Sequence, residues 1–304
     1  MGTPAKSSGG TPAGSLAARA EELRAFLDRK VAEYNQPSFI PDDPISIPHR
    51  YTQKQDIEIA GFFAAIFSWG NRKTIIGKSQ QLMQLMDEAP YQFVRQHTDT
   101  DLKRLLGFKH RTFNPTDLLY FIVFLRRHYL LYESLEDAFL QPWERRGTVA
   151  APSTGTAPAA TPGTGTSAAV TAYDARSALS AFHHYFFSLE EDGERIAPPR
   201  TRKHISTPEK NSSCKRINMF LRWMVRKDGN GVDFGIWRRI PMSLLICPLD
   251  LHVARVAKRL GLLTRERSDW QAAVQLTEGL SLLDKDDPVK YDFALFGLGV
   301  MENF

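Results

Sequence analysis

The segment at residues 56–69, DIEIAGFFAAIFSW, constrains the fold more than any other part of the chain. Apolar residues would occupy nearly the whole circumference of this segment as a helix, and such a helix has to be buried. Other patterned segments also show helical spacing, and none alternates apolar and polar residues as a half-buried strand does. We therefore predict an all-α fold with residues 56–69 inside it.

Two segments are predicted to lie outside the folded core. Residues 1–15 are rich in Gly, Pro, Ser and Thr, a composition typical of a disordered tail. In residues 147–171, 23 of 25 residues are Ala, Thr, Gly, Pro or Ser, which leaves too little apolar surface to offset the entropy of ordering. Because a helical pattern resumes directly afterwards, we interpret 147–171 as a flexible insertion within a single domain at residues 16–304.

The composition argues against several classes of protein. No run of about 18 apolar residues is present, so we expect no membrane span. No apolar signal-peptide core precedes the first helical pattern, so we expect a cytoplasmic protein. The two cysteines, Cys214 and Cys247, are too few for a four-thiolate iron–sulfur cluster or a four-cysteine zinc site. We predict neither a metal site nor a cofactor.

Positive charge is concentrated in one part of the chain. Residues 200–227 contain nine Lys or Arg residues and a single carboxylate, Glu209, in a protein whose net charge is +5. A concentrated basic region in a nearly neutral protein is typical of a protein that binds a polyanion. A solvated surface face is the alternative, and the charge pattern alone leaves both open.

The basic region continues into residues 211–262, where two helical patterns flank a loop rich in Gly and aromatic residues. Lys215 begins the first helix, and Arg222 and Arg226 share its polar side. Asp250 begins the second helix, which Gly261 is placed to end. An amine and a carboxylate at the starts of two basic helices suggest a functional site.

Residues 248–262, PLDLHVARVAKRLGL, resemble the VDTHVxRVxxRLGL signature of the helix-hairpin-helix-GPD superfamily of DNA glycosylases. The aspartate of that signature is catalytic in the family and corresponds to Asp250, with His252 and Arg255 matching its histidine and arginine. The family lysine lies upstream, and Lys215 is the closest candidate. Its separation of 35 residues from Asp250 is similar to that in the archaeal oxidised-guanine glycosylases.

The chain as a whole looks like a member of a bacterial family of uncharacterised proteins distantly related to these enzymes. The resemblance implies a DNA-glycosylase-like helical domain with two lobes and a central cleft. Two departures stand out. Residues 211–214 replace the glycine hairpin that grips phosphate in the family, and Leu251 replaces the threonine beside the aspartate.

The resemblance implies base-excision DNA repair: an N-glycosylase, with or without lyase activity, that removes an altered base. In this chemistry Asp250 stabilises the cationic sugar of the transition state, and Lys215 attacks the sugar and forms a Schiff base. The structural alternatives are that Asp250 only caps its helix and that Lys215 is a solvated surface lysine. A non-catalytic nucleic-acid-binding helical protein is the alternative function, and a helical interaction protein is a third.

DNA is the partner that these hypotheses share. In the glycosylases a buried helix ends in a turn that supplies a residue wedged into DNA, and Trp69 and Asn71 occupy the corresponding place. A tryptophan in such a place is more often an ordinary core aromatic residue than a wedge. The nucleic-acid-binding residues are predicted to be Arg216, Arg222, Arg226, Arg255, Trp69 and Asn71, and the pocket for the extruded base to be lined by Trp223, Phe234 and Trp237.

Overall fold

The computed structural model describes residues 13–140 and 174–304, and within these ranges it is mostly helical. Short 3-10 turns join the helices. A hairpin of two antiparallel two-residue strands, β1 (Glu190–Glu191) and β2 (Glu194–Arg195), is the only sheet of the described ranges, and the sequence pattern did not predict it. The described helices are α1 (Ala13–Tyr34), α2 (Lys54–Phe67), α3 (Arg72–Leu85), α4 (Pro90–Gln96), α5 (Asp99–Lys103), α6 (Pro115–Leu131), α7 (Ala175–Phe186), α8 (Lys215–Val225), α9 (Leu251–Arg259), α10 (Trp270–Ser281) and α11 (Tyr291–Val300).

The predicted insertion at residues 147–171 lies outside the described residues, as does most of the predicted tail. Of that tail only residues 13–15 are described, and they belong to the start of α1. No helix in the described ranges combines the length and the apolar character that crossing a membrane requires.

Helix α2 is the buried centre of the core, as its apolar pattern predicts. Every residue from 57 to 67 is buried, and α2 packs against α3, α4 and α8. The contact with α8 is close at Gly61, where an added Cβ would come within 2.8 Å of the Met224 Cε. This close approach holds α8 against the centre of the core.

One charged residue of α2 is fully enclosed. The Glu58 carboxylate accepts hydrogen bonds from Tyr129 Oη at 2.8 Å, Ser134 Oγ at 2.5 Å, the Leu135 amide at 3.0 Å and Trp237 Nε1 at 2.6 Å. Burial raises the pKa of Glu58, and these donors partly offset that effect. The network joins α2 and α6 to the loop that follows α8.

Helix α11 packs between α1 and α9, and two glycines permit this packing. A Cβ at Gly297 would overlap the ring of Tyr34 in α1, and one at Gly299 would lie 3.1 Å from the Cβ of His252 in α9. The start of α9 is therefore held against α11.

Candidate functional site

A cavity of about 590 Å³ opens between the starts of α8 and α9, one face of α11, and the turns before α2 and α3. Its volume lies in the range typical of pockets for small molecules or single functional groups. The α11 residues that line it are one helical face. The charged or titratable residues of the lining are Asp43, Arg72, Lys215, Arg222, Asp250, His252 and Asp292, and its aromatic residues are Phe39, Trp69, Trp223, Phe293 and Phe296.

Lys215 and Asp250, the two residues singled out from the sequence, line this same cavity. Lys215 is the first residue of α8 and is half-buried. Its amine makes no hydrogen bond or ion pair with the residues that the structure describes, although its charge acts on the carboxyls of Asp43 and Asp292. The amine is therefore free to meet a ligand in the cavity.

The turn before Lys215 has an unusual backbone. Asn211 and Cys214 have φ values of +54° and +52°, in the left-handed region that favours glycine. Such a conformation costs a non-glycine residue on the order of 1 kcal/mol. The Asn211 side chain donates to Asp269 at 3.1 Å, and the Cys214 amide donates to Ser212 Oγ at 3.2 Å. The segment 211–214 thus forms a glycine-like turn without glycine.

Asp250 is the N-cap of α9, and it is also a lining residue of the cavity. Its Oδ1 accepts hydrogen bonds from the amides of His252 and Val253, both at 2.9 Å. Its Oδ2 has no hydrogen-bond partner in the described part of the chain. The sequence left open whether Asp250 caps its helix or is catalytic. In the structure Oδ1 caps the helix, and Oδ2 is available to a ligand.

Two further carboxyls line the cavity, and both are buried. Burial raises the pKa of Asp292 to about 6, and the positive charges of Arg222 and Lys215 only partly offset the effect. Burial also raises the pKa of Asp43, against a hydrogen bond of 3.0 Å from the Ile45 amide to its Oδ1. Neither residue belongs to a pattern that predicts a site, since each lies far along the chain from the basic segment.

The prediction that Arg222 and Arg226 bind DNA phosphates is wrong. Arg222 is 4 % exposed and Arg226 is 2 % exposed. Arg222 contacts Asp292 at 2.5 Å and Asp233 at 3.3 Å. The contacts of Arg226 are Asp228 at 2.7 Å, Asp233 at 3.0 Å and Asp287 at 2.9 Å. The polar side of α8 turns inward, because these carboxylates compensate the cost of burying the guanidinium groups.

Of the three aromatic residues predicted to line a base pocket, one lies at the cavity, and its role in holding a base stays a prediction. Trp223 lines the cavity, whereas Phe234 and Trp237 do not. Phe234 stacks on His49 with ring centroids 4.3 Å apart, and Trp237 is buried beside Glu58. The other aromatic residues of the lining, Phe39, Phe293 and Phe296, were not predicted.

Trp69 and Asn71 lie at the turn between α2 and α3. Trp69 is half-buried, lines the cavity, and has the Arg111 guanidinium 4.7 Å from its ring centroid. Asn71 is exposed and caps α3 by accepting a hydrogen bond of 3.2 Å from the Thr74 amide. A role as a wedge in DNA stays a prediction for both residues.

Arg216 and Arg255 make hydrogen bonds to backbone carbonyls. Arg216 donates to the Ile66 carbonyl at 2.6 Å, which ties α8 to the end of α2, and burial lowers its pKa to about 10. Arg255 is exposed and donates to the carbonyls of Gly299 at 2.7 Å and Phe304 at 3.1 Å. Both arginines fasten helices around the cavity, and their contact with phosphate stays a prediction.

Residues 43–301 match a family whose description reads "Protein of unknown function (DUF2400)". The chain belongs to the DUF2400 family. The matched range contains every lining residue of the cavity except Phe39. No curated protein and no solved structure matches the chain. The family match does not bear on the resemblance to helix-hairpin-helix glycosylases, which stays a prediction.

The three aspartates of the cavity do not form a metal site. Within residues 13–140 and 174–304, no group of three or more His, Cys, Asp or Glu side chains is placed to hold a metal ion. The arrangement instead pairs one unbonded amine with carboxyls in different states: Asp250 half-buried, Asp43 and Asp292 buried. Such a set can combine a nucleophile with charge stabilisation and proton transfer.

Proposed function

We propose that this protein is a DNA-repair N-glycosylase that excises an altered base with Lys215 and Asp250. The observation that carries the proposal is that these two residues, 35 positions apart in the chain, line one cavity with aromatic side chains. In this proposal the helices form two glycosylase-like lobes, with the cavity in the cleft between them. The partner is DNA that contains the altered base.

The size and the lining of the cavity suit an extruded base. Enzymes that act on a base move it out of the stack into a pocket with apolar or aromatic walls, at a cost of a few kcal/mol. Trp69, Trp223 and Phe296 supply such walls, in a cavity of about 590 Å³. The sugar would then lie near the cavity mouth, beside the starts of α8 and α9.

The chemistry follows from the two charged groups. As the N-glycosidic bond breaks, the sugar gains positive charge, and the Asp250 oxygen that is not used for capping stabilises that charge. The unbonded amine of Lys215, in its neutral form, attacks the sugar carbon that the base leaves. The resulting adduct rearranges to a Schiff base, from which elimination of the neighbouring phosphate nicks the strand.

The experiment is an assay of base release and strand nicking on duplex oligonucleotides, each with one altered base. Borohydride is added to reduce any Schiff base to a stable protein–DNA adduct. The wild-type protein should release a base from at least one oligonucleotide and form the adduct. Lys215→Gln should form none, while Lys285→Gln, which removes an exposed lysine away from the cavity, should behave like the wild type.

Asp250→Asn separates the two roles of that residue, because asparagine is a good helix cap without charge. Its base release should fall by about 100-fold or more, as expected when a charge-stabilising group is lost, with the fold retained. Wild-type activity in Asp250→Asn would contradict the proposal. DNA binding with no base release from any oligonucleotide would favour the non-catalytic nucleic-acid-binding alternative.

A further inference from the structure

The cavity wall contains a carboxyl group that the chemistry of Lys215 and Asp250 does not use. Asp292 lies in the first turn of α11 and is 6 % exposed. Its Oδ2 accepts a hydrogen bond of 2.5 Å from Arg222 Nη1. Its Oδ1 has no hydrogen-bond partner among the residues described.

Asp292 is one end of a buried network with more acids than bases. The network contains four aspartates and two arginines, so with every group ionised the negative charges would outnumber the positive ones by two. Excess charge is costly in a medium of low dielectric constant, and a proton on one carboxyl lowers the cost. The members are Arg222, Arg226, Asp228, Asp233, Asp287 and Asp292.

Within this network Asp292 is the carboxyl best placed to carry a proton to a ligand. Asp233 contacts both arginines, whereas Asp292 contacts Arg222 alone. Of the four aspartates, only Asp292 lines the cavity. The charge of Asp250 further favours the protonated form, and the charge of Lys215 opposes it. A proton on Asp292 would therefore sit at the cavity wall, within the influence of both site residues.

We propose that Asp292 is the acid that protonates the departing base. This inference rests on the proposed function. The N-glycosidic bond breaks with its electron pair passing to the base, and the Asp292 carboxyl gives its proton to that base. The Lys215 amine forms the new bond to the sugar carbon. The alkylated nitrogen of Lys215 then returns a proton to the Asp292 carboxylate, so the acid is restored and the charges balance.

If Asp292 protonates the departing base, its loss should affect a substrate that carries a base and spare one that does not. A purely structural role predicts no such difference. Protonation of the base matters only while a base is attached, and an abasic site has already lost it. Schiff-base formation at an abasic site therefore requires Lys215 but no acid for a departing base. A residue that merely holds α8 against α11 would affect both substrates alike.

The test uses the full-length protein with two duplexes of one sequence, one containing the altered base and one an abasic site. Asp292→Asn keeps the size of the side chain and an oxygen that can accept from Arg222. Its base release should fall by about 100-fold or more, as is typical when a general acid is removed. Borohydride adduct formation at the abasic site should stay within about threefold of wild type by the same reasoning.

Asp287→Asn is the matched control. Asp287 belongs to the same network, pairs with Arg226 at 2.9 Å, and does not line the cavity. The same change of a carboxyl to an amide should leave both reactions near the wild-type level. Lys215→Gln should lose both reactions, which shows that the abasic substrate reports on the lysine.

The possible results are distinct. Wild-type base release by Asp292→Asn would overturn the role of Asp292 and leave the proposed function standing. An equal loss on both substrates would also overturn it, because the residue would then act on the fold. If the wild-type protein releases no base and forms no adduct at the abasic site, the proposed function itself fails. Selective loss of base release in Asp292→Asn alone supports the inference.

Discussion

Arg222 of α8 donates a hydrogen bond of 2.5 Å to Asp292 of α11, and both residues line the cavity that also contains Lys215 and Asp250. The guanidinium of Arg222 also lies 4.3 Å from the ring centroid of Phe293. Arg222 therefore contacts an aromatic ring as well as a carboxylate of α11. One arginine thus joins the helix that begins with the proposed nucleophile to the helix that carries the proposed acid.

Arg222→Met should destabilise the fold by about 3–5 kcal/mol, the usual cost of removing one partner from a buried ion pair. Methionine fills similar apolar space but leaves Asp292 and Asp233 without their shared cation. Urea unfolding followed by circular dichroism measures the change. Arg238→Met, at an exposed position with no ion pair within the described ranges, should change stability by less than about 0.5 kcal/mol. Equal effects of the two substitutions would contradict a buried network.

The stability of Asp292→Asn relative to wild type should depend on pH. Folding raises the pKa of Asp292 to about 6 through burial, so its stabilising contribution is complete below the ordinary aspartate pKa and is lost as pH rises to about 6. The groups that act on it are Arg222 and Lys215 from α8 and Asp250 from the start of α9. From about pH 4.5 to about pH 7.5, the free energy of unfolding of Asp292→Asn should rise by about 2 kcal/mol relative to that of the wild type.

Urea unfolding of both proteins at the two pH values gives this difference directly. Asp286→Asn, at an exposed position, is the control for the change of a carboxyl to an amide and should change stability by less than about 0.5 kcal/mol. A difference between wild type and Asp292→Asn that is constant with pH would mean that the Asp292 carboxyl titrates as it would in water.

The helical fold could be predicted from the sequence because helix signals are local. The apolar circumference of α2 and the Asn–Pro start of α6 each lie within one helix. The contacts between helices were not predictable in the same way. Nothing in the FALFGLG segment of α11 shows that Gly297 meets the ring of Tyr34, because the two residues are more than 250 positions apart.

Two glycine-to-alanine substitutions test that packing. Gly297→Ala places a methyl group into the ring of Tyr34, so α1 and α11 must separate, and the fold should lose at least about 2 kcal/mol, as overpacked cores do. Gly77→Ala is the control, since Gly77 lies in α3 with no atom within 4 Å of an added Cβ. Gly77→Ala should raise the free energy of unfolding by about 0.5–1 kcal/mol, because alanine has the higher helix propensity. Thermal melts of both variants measure the contrast, and a stable Gly297→Ala protein would place α1 elsewhere.

The site was predictable only in part, because contacts between residues far apart in the chain leave no local pattern in the sequence. Lys215 and Asp250 belong to recognisable local patterns, each at the start of a helix. The partners of Arg222 are not local, since Asp292 lies 70 positions further along the chain. A basic side of a helix has the same sequence pattern whether it faces solvent or a set of buried carboxylates. For this reason the inward direction of Arg222 and Arg226 was missed.

DNA binding should depend on lysines that remain exposed, and not on the arginines of the buried network. Lys203 and Lys210 lie in the basic segment and are exposed. If both contact phosphates, the double variant Lys203→Gln/Lys210→Gln should lower the slope of log affinity against log salt by up to about 1.8. Fluorescence anisotropy with a labelled duplex at several salt concentrations measures the slope.

Lys285→Gln removes one exposed lysine from outside the basic segment and serves as the control for net charge. Its slope should stay at the wild-type value, because counterion release counts contacts with phosphate and not the total charge of the protein. An unchanged slope in the double variant would place the DNA contacts on another surface. A slope near zero for the wild-type protein would contradict phosphate contacts altogether, and with them the proposal that DNA is the partner.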